Sequence, residues 1–477
     1  MRTRREQVQA YRFVTRRIIS ALLSGEPETN DLPMRRLGLA IFGSVMVAAI
    51  VFAGAGVYGL LTKRGGSVAE ETLVIERETG AKYVYLNGKL HPVLNYTSAR
   101  LILNTAQPAV RTMSQASLRG LTRGQPVGIP NAPDALPESK ALLRQPWRVC
   151  NSVTPARPSD PMTHVVLGRS LPGGTQLAEE SLLVSVNDVL YLLWDGRRLQ
   201  ISGKTALAAL KLSAVQPMTV DRQFLDAVPA GPDLKAIPIP GTGDAGSAIG
   251  GSPARIGDVF LASGQYYVLT REGLVPIGEV SARLRLAAGG KEREITPQAA
   301  GSALAQTIIE PEGFPQALPV PIARATAVCT VHTPGTVAAT LEVFTATPEE
   351  LTTSADSLQV RQTGRDRVPV ADRVFVSGGQ GALVQAGTAT EPVVPGSTLY
   401  LVTDQGLKYP LGAGAQVALG YGEVEPIGMP ASVLALVPTG PTLDSASAQR
   451  FVEANPAPGP SPESGSPRSG DSNGDGA

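Results

Sequence analysis

The sequence predicts an α+β protein in which one N-terminal transmembrane helix is followed by an elongated exported domain, with a disulfide-fastened β-rich core and four small strand-hairpin/helix repeats. Three observations predict it. Leu37 to Leu61 is a run of 25 residues without a charge. A pattern of tyrosine, short strand, polar turn and glycine occurs four times after it. Only two cysteines are present, Cys150 and Cys329, far apart in the chain.

At the N-terminus, the first 36 residues hold eight arginines against Glu6, Glu26, Glu28 and Asp31, while the whole chain of 477 residues carries a net charge of +1. The basic character is therefore local. From Thr3 to Ser24, Val8, Tyr11, Val14, Ile18 and Leu22 recur at helical spacing, and Arg4, Arg5, Arg12, Arg16 and Arg17 stand mostly off that face. This is a basic amphipathic helix, suited either to anionic lipid headgroups or to the surface of a partner protein. Gly25, Pro27 and Pro33 end it.

The charge-free run is bracketed by Arg35-Arg36 and Lys63-Arg64. At helical rise it measures about 37 Å, enough to cross a hydrocarbon core of roughly 30 Å with some tilt. A signal peptide would have a shorter apolar region and n-region, and no convincing small-x-small cleavage site follows. Eight arginines before the span against Lys63 and Arg64 after it predict a cytoplasmic N-terminus, with residues from about 65 onward outside.

In the exported part, Tyr83 to Val93, Tyr191 to Ile201, Tyr267 to Ile277 and Tyr400 to Leu411 each place a tyrosine five or six residues before a glycine, namely Gly88, Gly196, Gly273 and Gly406. Two copies lead into Ser-Ala-Arg-Leu, at Ser98 to Leu101 and Ser281 to Leu284, and then an apolar helical stretch. Hairpins of this kind bury tyrosine and aliphatic side chains on one face and use glycine for positive φ. The predicted divisions are residues 1–36 cytoplasmic, 37–61 spanning, 62–140 first repeat, 141–180 first part of the core, 181–249 second repeat and 250–314 third repeat. Residues 315–390 form the second part of the core, 391–441 a fourth repeat ending in an extended wrap over Pro426 to Pro441, and 442–477 a disordered tail rich in Pro, Gly and Ser.

Cys150 and Cys329 form no metal motif, since there is no CxxC and His91, His164 and His332 are scattered. In an oxidising compartment a single disulfide is the natural reading; two buried free thiols are the alternative. Gly241 to Gly246 matches GxGxxG but follows Ile237-Pro238-Ile239-Pro240 and lacks a strand before and a helix after, so it reads as a linker. Gly203-Lys204-Thr205 resembles the end of a P-loop, yet Arg198 occupies the position of the required first glycine. Asp471, Asn473 and Asp475 open a calcium-loop pattern that stops at Ala477 before its glutamate. No GxSxG occurs, and no pair among the 41 acids is singled out for glycan hydrolysis. No catalytic, cofactor or metal residue is assigned. No basic stripe interleaved with aromatics points to nucleic acid.

The blocks TRREQVQAYRFVTRRIISALL, the single span, YVYLNGKLHPVLNYTSARLIL, Gly128-Ile129-Pro130, Ala132-Pro133-Asp134, WRVC at Trp147 to Cys150, and Pro438-Thr439-Gly440-Pro441 together resemble the EccB family, membrane components of the type VII (ESX) secretion machinery. The resemblance covers nearly the whole chain. It implies an inner-membrane location, a disulfide between Cys150 and Cys329, homo-oligomers within a larger complex, and EccC (the motor ATPase), EccD and EccE as partners beside the lipid bilayer. Family members have carried the label ATPase, which here stays an alternative, as does a module binding cell-wall peptidoglycan.

Overall fold

The computed structural model describes residues 4–25, 33–62, 68–154, 157–336, 338–352, 370–387 and 397–452. It divides into two units, Met1–Ala69 and Glu70–Ala477.

In the first unit, α1 (Arg4–Ser24) stops where Gly25 takes φ +71° and its N–H reaches Ala21 O at 3.1 Å, a left-handed cap that costs glycine no Cβ clash. The second helix, α2 (Pro33–Thr62), starts on a proline, whose fixed φ and missing N–H suit a first turn. Within it, Leu37–Tyr58 is a 22-residue stretch long and apolar enough to cross a membrane, with none of it buried. Ser44 donates its hydroxyl to Ile41 O at 2.9 Å, which satisfies a polar group inside the apolar stretch.

The second unit opens with a small sheet. Strands β1 (Thr72–Glu76), β2 (Lys82–Leu86) and β3 (Lys89–Pro92) form an antiparallel meander. The turn between β2 and β3 is Asn87-Gly88, with φ +50° and +70°, the two left-handed residues that a type I′ hairpin demands. Next, α3 (Tyr96–Ile102) is capped by Asn95, whose side chain accepts from Ser98 N. Then β4 (Ala109–Met113) pairs parallel with β1 and α4 (Gln115–Leu118) closes the unit. An extended strap returns along β3, bridging Leu90 to Arg123 and Val93 to Val127.

The chain then enters a central sheet through β5 (Trp147–Thr154), β6 (Arg157–Leu167) and β7 (Thr175–Gln176). It leaves for a second small sheet: β8 (Glu180–Val186), β9 (Val189–Trp194), β10 (Arg197–Gln200), α5 (Gly203–Ala209), β11 (Met218–Thr219) and α6 (Arg222–Ala227). A two-stranded ribbon, β12 (Ala245–Ile249) and β13 (Ser252–Arg255), leads to a third: β14 (Val259–Ala262), β15 (Gln265–Leu269), β16 (Leu274–Ile277), α7 (Glu279–Ala287), β17 (Glu292–Glu294) and α8 (Pro297–Ser302). After β18 (Val320–Pro321) the central sheet resumes with β19 (Ala327–His332), β20 (Thr340–Phe344), α9 (Glu349–Thr352) and β21 (Arg373–Phe375). The fourth small sheet is β22 (Gly381–Ala386), β23 (Leu399–Thr403), β24 (Lys408–Leu411), α10 (Ala415–Ala418), β25 (Ile427–Met429) and α11 (Ala431–Ala435); α12 (Ser445–Ala448) follows.

The order β3-β2-β1-β4 therefore returns as β10-β9-β8-β11, β16-β15-β14-β17 and β24-β23-β22-β25, while the central sheet runs β21-β6-β5-β19-β20-β7. One central face carries Trp147, Val149, Val165, Val328 and Leu341, packed with Val184, Leu193 and Phe224 of the second sheet region and Val384, Ile427 and Val433 of the fourth. The third sheet packs on the second through α7 and α5, the first on the fourth through α3 and α10, and the second and fourth meet at α6 and α11. Equivalent helices meet at each junction.

Two stretches differ from the sequence expectation. Pro426 to Pro441 is not an extended wrap: it holds β25, which pairs parallel with β22, and α11, which begins after Pro430, where the missing N–H costs no helical bond. Ordered chain also continues past residue 441. Leu443 and Ala448 are fully buried, Asp444 caps α12 by accepting from Ser447 N, and Val452 N reaches Pro126 O at 3.0 Å, fastening the fourth sheet region to the strap of the first. The Asp471 to Asp475 pattern lies outside the described residues.

Candidate functional site: a surface helix, a span and a fastened body

At about 100° per residue, α1 places Arg5, Arg12 and Arg16 in one narrow stripe, beside a face made of Val8, Tyr11, Val14, Ile18 and Leu22. Arg4 falls at the start of that apolar face and Arg17 on the far side. Tyr11 is 76% and Leu22 80% exposed. The acid in the first turn, Glu6, suits the positive end of the helix. The structure thus puts all six sequence-selected contact residues on one exposed helix, where a basic stripe and an apolar face adjoin.

In the body, Cys150 on β5 and Cys329 on β19 are register partners, with Cα atoms 3.9 Å apart, and they are joined as a disulfide. Both are fully buried with Val166, Ala327, Phe344, Phe375 and Leu351 of α9. Adjacent strands pair His164 with Cys150 and Glu342 with Cys329. Glu342 takes a two-pronged bond from Arg148, Nε to Oε2 at 3.0 Å and Nη2 to Oε1 at 3.1 Å, a geometry that fixes both side chains. Ser152 Oγ lies 2.9 Å from His164 Nε2.

Burial pushes His164 down to about 4, with the Arg373 charge adding to the effect, and pushes His332 to about 4 as well. Both imidazoles are neutral at pH 7. They occupy opposite faces of the central sheet, since His164 aligns with Cys150 and His332 with Trp147. His91 stands apart on β3 beside Gln125 O. Burial lifts Asp221 to about 6, helped by the carboxylates of Asp372 and Asp160 and opposed by the bond it accepts from Thr163 Oγ1 at 3.0 Å. Thr163 N donates to Asp372 at 2.7 Å, so one threonine joins the second sheet region to the central sheet. Among the described residues no group of three or more His, Cys, Asp or Glu is placed to hold a metal ion.

The glycine motifs do not build a phosphate cradle. Gly241 and Gly243 sit in a turn at φ +81° and +91° that opens into the β12–β13 ribbon, not a helix. Gly203-Lys204-Thr205 starts the seven-residue α5, and the preceding strand β10 ends a meander. The repeat tyrosines point inward: Tyr83 is 7% exposed and carries the Arg123 guanidinium 4.8 Å over its ring, and Tyr191, Tyr267 and Tyr400 are half-buried. They form no open stacking platform for sugar rings. A cavity of about 310 Å³ lies between residues 139–144 and the fourth sheet, floored by Leu142, Leu143, Leu383 and Ile427 and rimmed by Arg144 and Glu425, which are bonded to each other.

Sequence reasoning found the cysteines; it missed the Arg148–Glu342 fork and the Thr163 junction, whose partners lie far apart in the chain and carry no local signal.

A family model described as type VII secretion system ESX-1, transport TM domain B, matches residues 1–456. Among similar proteins, the ESX-3 secretion system ATPase EccB3 of Mycolicibacterium smegmatis is 28% identical over 482 residues, covering 95% of this chain and 92% of its own length. The ESX-1 secretion system ATPase EccB1 of Mycolicibacterium smegmatis strain MKD8 is 27% identical, covering 94% of each. Among solved structures, a chain of an intact ESX-5 inner membrane complex superposes with a TM-score of 0.67 at 25% identity, over 96% of this chain and 97% of that one. A chain of an EccB3 dimer from the ESX-3 core complex gives 0.63 at 26% identity, over 80% and 100%.

Proposed function

Because the chain belongs to the EccB family of type VII secretion components, we propose that it is a structural, assembly-forming subunit of such a machinery, joining a cytoplasmic helix to a folded body across the inner membrane. The observation that carries this reading is the layout: one family match runs unbroken through the basic helix, the candidate span and the disulfide-fastened body. Eight arginines on one side of the span argue for a cytoplasmic N-terminus. The buried disulfide on the other side argues for an oxidising compartment there.

The basic stripe and apolar face of α1 serve as the contact to the motor ATPase EccC and its neighbours EccD and EccE, with the headgroup surface beside them. The four small sheets are copies of one duplicated module, supported by their shared strand order and by the homologous helices at their junctions. Their role is spacing and docking within a homo-oligomer. The ATPase in the relatives' names is a name only, and the residues around Gly203 and Gly241 give it no support. Peptidoglycan binding is likewise unsupported by the inward tyrosines.

The test is recovery of the full-length protein from native membranes in mild detergent, with and without residues 1–36. The intact chain should bring down a large assembly containing an FtsK-type ATPase, and the deletion should lose it while the body remains folded. An assembly unchanged by the deletion sinks the assigned role of α1.

A further inference from the structure

The helix that follows the parallel strand of each small sheet tells the four modules apart. These helices are α4, α6, α8 and α11, entered through the N-cap residues Ser114, Asp221, Thr296 and Pro430. Counted from the cap, the third residue is Ser117, Phe224, Ala299 or Val433, and the fourth is Leu118, Leu225, Ala300 or Leu434. Phe224 and Val433 are fully buried in one core, where α6 meets α11, so an apolar third residue marks a face on which another module docks. In α4 the third residue is the exposed Ser117, and Leu118 beside it is fully buried. The third module alone carries alanine at both positions.

The room left by those alanines is taken by the two-stranded ribbon. Ile249 of β12 and Ala254 of β13 are buried in one cluster with Ala300, Phe260, Leu269 and Leu274. A Cβ added at Gly250, in the turn of the ribbon, would stand 3.7 Å from the Cβ of Ala299, and one at Gly246 only 2.7 Å from Leu269 Cδ2. Glycine therefore lets the ribbon backbone lie directly on the module. Arg293 of β17 fastens it there: its guanidinium lies 4.9 Å from the Phe260 ring centroid, donates to Pro253 O at 2.7 Å and reaches Asp258 at 3.1 Å. The other side of the ribbon, with Ser247, Ala248, Ser252 and Arg255, is exposed.

We propose that the β12–β13 ribbon is a built-in cap: it occupies the face of α8 that corresponds to the docking face of the second and fourth modules, and so makes the third module a closed end. This rests on the reading of the four sheets as copies of one module. The junctions α3–α10, α11–α6 and α5–α7 set the modules in the order first, fourth, second, third, so the first and third are the ends of the row. Stacked repeats need end units whose outward side is polar. The first module meets that need with side chains, Ser117 outside and Leu118 inside. The third meets it with the ribbon, which excludes an apolar helix side of the kind Phe224 or Val433 presents. Left open, that face would accept a different surface of another molecule, a contact that does not close on itself.

The ribbon can be removed without stretching the chain, because Ile256 N already donates to Asp244 O at 3.0 Å and Gly243 N to Ile256 O at 2.9 Å. Four forms of the full-length protein in mild detergent are compared: the parent, a chain in which two glycines replace Ala245 to Arg255, and Ala300→Leu in each background. Hydrogen exchange over β14 to α7 reports the stability of the third module. With the ribbon present, Ala300→Leu forces a larger side chain against Ile249 and should lower protection about tenfold. Without it, the same substitution supplies the leucine that the other three modules carry and should raise protection about tenfold. By light scattering, the chain without the ribbon should gain mass as its concentration rises, and Ala300→Leu should return it to the mass of the parent. A chain without the ribbon that keeps the parent mass at every concentration overturns the cap and leaves the module reading standing. Protection lowered by Ala300→Leu in both backgrounds overturns the equivalence of α8 with α4, α6 and α11, and the module reading with it.

Discussion

Lys408 is 7% exposed in β24, and its Nζ donates to Leu434 O near the end of α11. Its backbone is held to the strap, donating to Pro438 O at 2.9 Å and accepting from Gly440 N at 2.9 Å. Burial lowers its pKa from 10.5 to about 8. A cation whose folded pKa is depressed destabilises the fold wherever both states are protonated. The penalty is therefore complete below pH 8, shrinks as pH rises from 8 to 10.5, and is absent above. The shift, caused by burial, corresponds to about 3 kcal/mol, and the charged hydrogen bond to Leu434 O and the Tyr400 ring 5.8 Å away offset part of it. Lys408→Met keeps the length and removes the charge, and Leu434 O retains the Val437 N–H at 3.2 Å. The variant should gain about 1–3 kcal/mol at pH 7 and much less at pH 10. Urea unfolding followed by fluorescence of the buried Trp147, which shares a core with Val402 and Ile427, measures both. A variant less stable than the parent at pH 7, or a gain equal at the two pH values, would refute the argument.

His164 and His332, both held near 4, stay neutral in the fold while the unfolded chain protonates near 6.5, so stability should fall between pH 6.5 and 4. Asp221 acts in the opposite sense: its folded pKa of about 6 lies above the unfolded value of 3.8, so stability is gained as pH drops through that window. Asp221→Asn should consequently raise the urea midpoint at pH 7 by the equivalent of about 1–2 kcal/mol after allowance for solvent and leave it unchanged at pH 3.5. Gly196, at φ +69° in the Asp195-Gly196 turn, leaves no room for a Cβ, which would stand 1.9 Å from Ala339 O, whereas Gly88, at φ +70° in the matching Asn87-Gly88 turn, meets nothing within 4 Å. Gly88→Ala should cost about 1 kcal/mol for the left-handed backbone alone, and Gly196→Ala roughly 2–4 kcal/mol once overpacking is added; equal costs in thermal unfolding would contradict the close approach. Replacing both Cys150 and Cys329 by alanine frees a closed loop spanning 179 positions, worth about 5 kcal/mol in the chain-entropy view, so a urea midpoint indistinguishable from the parent's would mean that the bond does not restrain the unfolded chain.

The parts legible in the sequence are those that physical pattern makes local. Gly88 and Gly196 announce two-residue turns because no other residue sits so cheaply at positive φ beside Asn87 or Asp195, and the charge-free run from Leu37 announces a helix long and apolar enough to cross a membrane. What stayed hidden is made by distance. Met218-Thr219 and Glu292-Arg293-Glu294 are too short and too polar to read as strands, and become strands because β8 and β14 offer them parallel partners. The strap residues Val127, Leu234 and Leu443 look like loop aliphatics, yet all three are buried beside the third strand of their sheet. The helix α1 and the placing of Arg5, Arg12 and Arg16 in one stripe were legible because a stripe on a helix is a property of spacing.

The nesting of the chain explains where its disulfide had to be. The second and third small sheets are inserted between β7 and β19, so the central sheet must pair β5 with β19 across a long excursion of folded chain. Loop-closure entropy grows with the logarithm of that excursion, and six register pairs between β5 and β19 offset it only after the ends have met. A covalent bond at Cys150–Cys329 sits in the middle of those pairs, with Arg148–Glu342 alongside, and keeps the ends together even if the inserted sheets loosen. The first and fourth sheets need no such bond, because α12 and Val452 fasten them from the other end of the chain. The body is thereby closed at two places: by a covalent bond where the loop is longest, and by the packing of α12 on α3 with Val452 on the first strap.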